Sequence, residues 1–159
     1  MSGNPNHVRE ALALFADELS ALRYLEHILW ANGVCCPRCG HHAKVGKLNG
    51  ATTRVGTYKC YKCRKAFSVL HGTLLSASHV PAHKWLQAMY LTEGGTKPMR
   101  AHRLGRILNV SFKTAASMMR RLESAAAKME DVDSADARGL LAPHPISDAG
   151  YTCETPPSV

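Results

Sequence analysis

The chain has 159 residues, which is enough for one medium domain or two small ones and too short for a large enzyme. Its apolar fraction of 45% is ordinary for a globular protein. It carries 20 Lys and Arg against 12 Asp and Glu, a net charge of +8. The N-terminus lacks a basic segment followed by an apolar core, and no stretch approaches the ~18 apolar residues of a membrane span. We therefore expect no secretory signal, no membrane association and a cytoplasmic location.

The charge is distributed unevenly along the chain. Between Arg38 and Lys128 there are 17 Lys or Arg and two carboxylates, a net charge of +15. Residues 130–159 carry six carboxylates and one arginine, a net charge of −5. A region this positive attracts polyanions, and a solvated basic surface without a dedicated partner is the alternative.

The first predicted element is a helix within residues 5–33. Its larger apolar residues recur at helical spacing and form one stripe: Val8, Leu12, Phe15, Leu19, Leu22 and Leu29. Asp17 could cap a second, shorter start, and Asn32-Gly33 ends the helix. Such a stripe usually packs against its own chain; a homodimer through this helix is the alternative.

Residues 34–75 contain two Cys-x-x-Cys pairs, Cys36 with Cys39 and Cys60 with Cys63, among glycines and short β-branched runs. Disulfides are rare in the cytosol, so the repeated pair indicates metal or redox chemistry. Two such turns can aim four thiolates at one Zn²⁺. Because forty residues bury only a thin core, we predict a small zinc ribbon held by one structural Zn²⁺.

Three alternatives to this ligand set stay open. A redox pair needs one Cys-x-x-Cys and leaves the second pair unexplained. Cys35 could replace Cys36, since its spacing to Cys39 also suits a metal, but Cys36 repeats the spacing of the second pair. His41 or His42 could replace a cysteine. Four thiolates leave no position for water, so we expect no catalytic role for the zinc.

Residues 80–129 predict three helices. The first begins at Pro81 and ends at Gly94-Gly95, and the second begins near Pro98. A three-residue link precedes the third, for which Ser111 is the predicted N-cap. Two helices joined by a short turn, the second one capped and basic, predict a helix-turn-helix.

Residues 130–159 are rich in Asp, Pro, Ser and Gly, so we expect a disordered acidic tail. The predicted fold class is α+β, mostly α: an N-terminal helix, a four-cysteine zinc ribbon, a C-terminal helix-turn-helix and this tail. Asp131, Asp133 and Asp136 lie in the tail, and a segment that does not fold cannot hold a pair of catalytic metal ions.

With a helix, a four-cysteine ribbon and a predicted helix-turn-helix in this order, the sequence resembles the N-terminal region of insertion-sequence transposases of the ISXO2-like (IS1595) family. Four stretches within about residues 15–125 carry the resemblance: ALRYLEHILWANGVCCPRCG, YKCYKCRKAFSVLHGTLL, HKWLQAMYLTEGG and LGRILNVSFKTAASMMRRL. The resemblance implies a zinc ribbon followed by a helix-turn-helix that binds transposon ends. It assigns zinc to the same four cysteines and starts the recognition helix at Ser111, Phe112, Lys113 and Thr114.

The sequence departs from the family in two places. The family commonly has an aromatic residue where this chain has Ala116. Its metal-dependent nuclease domain also needs many more residues than follow the third helix here. We therefore expect no enzymatic activity from this polypeptide.

These observations favour a zinc-containing, double-stranded DNA-binding protein, a nucleoid-associated transcription regulator derived from a transposase end-binding module. Candidate DNA contacts on the third helix are Ser111, Lys113, Thr114, Ser117, Arg120 and Arg121. Those on the preceding helix are Arg100, Arg103 and Arg106, and those on the ribbon are Lys62, Arg64 and Lys65. Phe112 is expected in the core or as a packing residue.

Two other functions compete with this interpretation. The protein could be an adapter that docks on transcription machinery through the ribbon, the first helix or the acidic tail. It could also be an accessory or inhibitory protein of transposition that binds inverted repeats. RNA is disfavoured, because the ribbon lacks an evident row of exposed aromatics and a helix-turn-helix suits the wide major groove of B-DNA.

Overall fold

The structure, a computed structural model, describes residues 5–76, 78–93 and 98–127. Its elements in chain order are α1 (Pro5–Leu14), α2 (Glu18–Leu29), β1 (Val45–Lys47), β2 (Thr57–Cys60), β3 (Ala66–Ser68), α3 (Ala82–Glu93), α4 (Ala101–Leu108) and α5 (Phe112–Ala127). This confirms the α+β, mostly helical class. The predicted stop at Gly94-Gly95 and the acidic tail of residues 130–159 lie outside the described residues.

The chain divides into two compact units, and the boundary falls within α2. The helical unit comprises residues 5–21 and the described residues from 78 to 127, and the ribbon unit comprises residues 22–76. Among the described helices, none combines the length and the apolar character that a membrane crossing requires.

The predicted N-terminal helix is in fact two helices. The Oδ1 atom of Asp17 accepts a hydrogen bond of 2.7 Å from the backbone N–H of Ser20, so Asp17 caps α2, as predicted. The single apolar stripe is therefore wrong, because the residues between α1 and α2 shift the helical phase. Leu12 and Leu19 are 38% and 41% exposed, whereas Phe15 is buried.

Helix α3 carries the core of the helical unit. It starts after Pro81, whose carbonyl accepts the N–H groups of Lys84 and Trp85, and Trp85 is 1% exposed. The buried Gln87 donates through Nε2 to the backbone oxygen of Phe15 at 2.6 Å, which ties α3 to the end of α1. The hydrogen bonds to Pro81 agree with the predicted start of this helix.

Helices α4 and α5 are joined by a three-residue turn. α4 begins at Ala101, three residues later than predicted, because Arg100 is its N-cap residue and has an extended backbone. The turn opens with Asn109 in the left-handed conformation, at φ 51° and ψ 56°. The backbone N–H of Thr114 donates to the Oγ of Ser111 at 3.1 Å, which confirms Ser111 as the N-cap of α5.

Gly105 allows the turn to approach α4 closely. A Cβ atom at this position would lie 3.1 Å from the carbonyl oxygen of Val110 and 3.5 Å from the Cβ of Ala115. The Val110 N–H also donates to the Gly105 oxygen at 2.9 Å. A side chain at residue 105 would therefore push the start of α5 away from α4.

The ribbon unit contains a three-stranded antiparallel sheet in the order β1-β2-β3. Its buried cluster consists of Cys36, Tyr58, Cys60 and Phe67. The Trp30 ring stands edge-on to Tyr58, with centroids 5.0 Å apart. Two of the four members of this cluster are cysteines, and the unit also buries Leu22, Leu25, Val69, Leu74 and Leu75.

Candidate metal centre and nucleic-acid interface

Four thiols from the two Cys-x-x-Cys turns meet at one point of the ribbon unit. The sulfur atoms of Cys36, Cys39, Cys60 and Cys63 all lie within 4.8 Å of one another. Cys36 Sγ is 3.7 Å from Cys63 Sγ, and Cys39 Sγ is 3.6 Å from Cys60 Sγ. Four sulfurs about 2.3 Å from a tetrahedral Zn²⁺ stand about 3.8 Å apart, so the cluster fits this ion.

The two turns have matching backbone geometry. The N–H of Cys36 donates to the oxygen five residues later, at 3.1 Å, and the N–H of Cys60 makes the equivalent bond at 3.0 Å. The residue after each pair has a left-handed backbone, Gly40 at φ 65° and Arg64 at φ 59°. Glycine adopts this conformation readily, whereas Arg64 adopts it against the usual preference of a residue with a side chain.

The protein environment acts differently on the two buried thiols. Burial raises the pKa of Cys36 to about 12. Backbone N–H groups of Cys63 and Lys62 donate toward Cys60, and the pKa of that thiol is lowered to about 7. Such N–H groups stabilise a thiolate, and the charge of a cation compensates for the burial.

The cluster can hold one zinc ion through four thiolates, with no position for water. In the described part of the chain, it is the one group of three or more His, Cys, Asp or Glu side chains close enough to bind a metal. Cys35, His41 and His42 are not members of it. Cys35 is nevertheless buried, so it lies in the interior of the ribbon unit.

Exposed basic residues lie on α5 and around the start of α4. Arg103 and Arg106 project from α4, and Arg100 precedes it; all three are exposed. On α5 the exposed predicted contacts are Lys113, Ser117 and Arg120. The buried face of α5 consists of other residues, Ala115, Met118, Leu122 and Ala125.

Three of the predicted contact residues already have partners within the helical unit. The Oγ of Ser111 is 2.9 Å from the Oγ1 of Thr114, in addition to its capping bond. The guanidinium carbon of Arg121 lies 5.1 Å from the centroid of the Trp85 ring. Arg121 is therefore half-buried against the core, unlike the exposed Arg120.

Phe112 is not where the sequence interpretation put it. Its side chain is 62% exposed at the first residue of α5, so the expectation of a core or packing position is wrong. The buried face of α5 is centred on Met118 and Leu122, and at 100° per residue Phe112 falls on its flank.

The predicted basic contacts of the ribbon are at its surface. Lys62, Arg64 and Lys65 are exposed beside the second cysteine pair. Tyr61, within that pair, is 56% exposed, and the Nζ of Lys59 lies 5.8 Å from its ring centroid. The sequence interpretation assigned no role to Tyr61.

Comparison with known proteins supports the interpretation of the ribbon. The family model of the transposase zinc-ribbon domain of IS1595-type elements matches residues 16–66. A protein of Halobacterium salinarum described as an uncharacterized protein in the transposable element ISH50 is 30% identical over 107 residues. That alignment covers 67% of this chain and 35% of the relative, so the chain spans about a third of the relative's length. No solved structure matches the chain.

Proposed function

Residues 16–66 are a transposase zinc ribbon of the IS1595 type, and on that premise we propose that the chain binds double-stranded DNA through α4, the turn of residues 109–111 and α5. In this proposal the three elements form a helix-turn-helix, and α5 is the recognition helix that enters the major groove.

One observation carries the proposal: the exposed side chains of α4 and of the first turns of α5 are predominantly basic. Arg103, Arg106, Lys113 and Arg120 are all exposed, and no carboxylate lies between residues 98 and 122. A surface of this kind binds phosphate groups and releases their counterions. The close turn at Gly105 supports the proposal, because it fixes the direction in which α5 leaves α4.

The proposed contacts are of two kinds, those to base edges and those to phosphates. Lys113 and Ser117 lie near the N-terminus of α5, from which a recognition helix reaches base edges. Arg120, further along α5, is proposed to meet phosphate. Arg100, Arg103 and Arg106 are proposed to grip the flanking phosphates, which fixes register and carries no sequence information. Ser111 and Thr114 contribute less, since each hydroxyl is engaged with the other.

The ribbon is proposed as an additional phosphate contact through Lys62, Arg64 and Lys65. These cations have a second role that needs no DNA. Four thiolates around Zn²⁺ carry a net charge of −2, and nearby positive charge stabilises such a centre. Their substitution is therefore expected to affect zinc affinity as well as DNA affinity.

The most direct biological role is that of a transcription regulator acting at the nucleoid. A second role, in transposition, is favoured by the description of the Halobacterium relative as a protein in a transposable element. Genome-wide occupancy of the tagged protein in its host separates the two. Peaks at promoters support a regulator, and peaks at inverted repeats support an accessory or inhibitory protein of transposition.

The test of DNA binding itself is the salt dependence of affinity for duplex DNA, measured by fluorescence anisotropy. If about six phosphates are neutralised, the logarithm of the association constant should fall with the logarithm of salt concentration at a slope of about −5. A slope near zero would contradict an electrostatic grip on DNA. Absence of any duplex binding would favour the protein-adapter alternative.

Two matched variants locate the contact surface. Arg106→Ala should weaken binding to all duplexes and reduce the magnitude of the slope by about one. Arg23→Ala is the control, because Arg23 is exposed on α2 and has no role in the proposal. Equal effects of the two substitutions would show that α4 is not the contact surface.

A further inference from the structure

We propose that Phe112 reads the C5-methyl group of a thymine in the major groove. The inference rests on the proposed function, since it requires α5 to be the recognition helix. Phe112 adds an apolar contact that distinguishes one base from another, which the basic residues of α4 and α5 do not provide.

The first support is the exposure of the side chain. Among the large apolar side chains of the described residues, Phe112 is the most exposed, at 62%. An aromatic ring left in water at the start of a helix makes no contribution to the core. Its neighbours in sequence, Ser111 and Lys113, are also exposed, so the ring is part of an open surface.

The second support is its place on α5. Phe112, Lys113 and Ala116 lie within about 100° of one another around the helix axis. Ala116 is one turn further along and too small to cover the ring. A ligand that approaches Lys113 from solvent therefore also meets the side chain of Phe112.

The third support is the hydrogen-bonding capacity of this turn. Ser111 and Thr114 bond to each other, and the Ser111 hydroxyl also accepts the helix-capping bond. Phe112 and Lys113 remain as the two uncommitted side chains of the first turn. The phenyl ring offers neither donor nor acceptor, and the thymine methyl is the apolar feature that base edges present in the major groove.

The test uses the full chain loaded with zinc. A target duplex is first selected from a random library, and each thymine of the target is then replaced in turn by deoxyuridine. This replacement removes the methyl group and leaves every hydrogen-bonding group of the base in place. At one position, the wild-type affinity should fall about fourfold, which corresponds to the loss of one buried methyl group.

Three variants distinguish this role from a general loss of binding. Phe112→Ala should bind the thymine and deoxyuridine duplexes equally, whereas Phe112→Leu should keep part of the preference. Lys113→Ala should weaken binding to both duplexes by the same factor. Because Phe112 is exposed, none of its replacements should unfold the helical unit, and the thermal transition of each variant checks this.

Two results would overturn the inference while the proposed function stands. One is wild-type binding with a steep salt dependence and no sensitivity to the methyl group at any thymine. The other is an undiminished methyl preference in Phe112→Ala. If the wild-type protein bound no duplex at all, the proposed function and this inference would fall together.

Discussion

Removal of zinc should unfold the ribbon unit, residues 22–76. The perturbation is made in two ways: with a chelator on the wild-type protein, and with Cys60→Ser, which deletes one of the four clustered thiols. Both remove the ion that the cluster can hold and leave the remaining buried sulfurs close together without a compensating charge.

The structure gives the scale of the effect. Apart from the cysteines, the buried cluster of the ribbon contains Tyr58 and Phe67, and full burial of each contributes about 1.5–3 kcal/mol. A structural zinc site contributes about 10–16 kcal/mol of folding free energy at neutral pH. Within this cluster the larger stabilising contribution is therefore the metal. The unit also buries Leu22, Leu25, Val69, Leu74 and Leu75, but their burial is offset by the conformational entropy lost when the residues of the unit are ordered.

The chain provides its own reporters for the assay. It has two tryptophans, Trp30 beside Tyr58 and Phe67 in the ribbon unit and Trp85 in the core of the helical unit. In a ¹H–¹⁵N spectrum each indole N–H gives one signal. Zinc removal should move the Trp30 signal to its unfolded position, while Trp85 reports on the helical unit in the same sample.

The matched control is Tyr61→Ser. Tyr61 lies next to Cys60, is 56% exposed and is not a member of the cluster, so this variant should retain one zinc per chain by metal analysis. A wild-type protein that has lost its zinc, by the same analysis, and keeps the folded Trp30 signal would refute the reasoning. So would Cys60→Ser with a full complement of zinc.

Three further predictions follow from local geometry. Zinc affinity, measured by chelator competition and corrected for the protonation of the chelator, should fall by at least about tenfold per pH unit on acidification below about pH 8, because each ligand thiol of the zinc-free ribbon must lose a proton to bind; a flat profile would exclude thiolate ligands. In urea unfolding, Asn109→Ala should destabilise by about 1 kcal/mol and Asn109→Gly should not, since φ is 51°; equal values would contradict that origin. Gln87→Met should cost about 0.5–1.5 kcal/mol in the same assay, because the hydrogen bond from Gln87 to the Phe15 carbonyl is lost, and an unchanged midpoint would contradict it.

The metal cluster was accessible from the sequence because its information is local. Each cysteine pair folds as one tight turn, and two turns with the same spacing have one natural way to share an ion. The same holds for the caps, since Asp17 and Ser111 act on N–H groups three residues away. The left-handed Arg64 was missed for the converse reason, as the residue type gives no sign of this conformation.

Positions that depend on partners distant in sequence were not predicted. Gln87 is buried because the end of α1, more than seventy residues earlier, presents a carbonyl oxygen to it. Arg121 packs over Trp85, which lies on a different helix, although its neighbour Arg120 is exposed. The sequence of a helix alone therefore does not tell whether a basic residue faces solvent, packs on the core or is available to DNA. That assignment requires the packing of the whole unit.

The two errors in the helices have different physical causes. Periodicity tells which residues share a face only when the helix is continuous and its start is known. The interruption before Glu18 changed the phase of the first stripe and exposed Leu12 and Leu19. At α5 the start was known from Ser111, but the buried face is set by the close approach at Gly105 and Ala115, which turns Phe112 toward solvent. Phe112 is therefore exposed because of the packing of α5 on α4, and this exposure is what makes its proposed contact with thymine available.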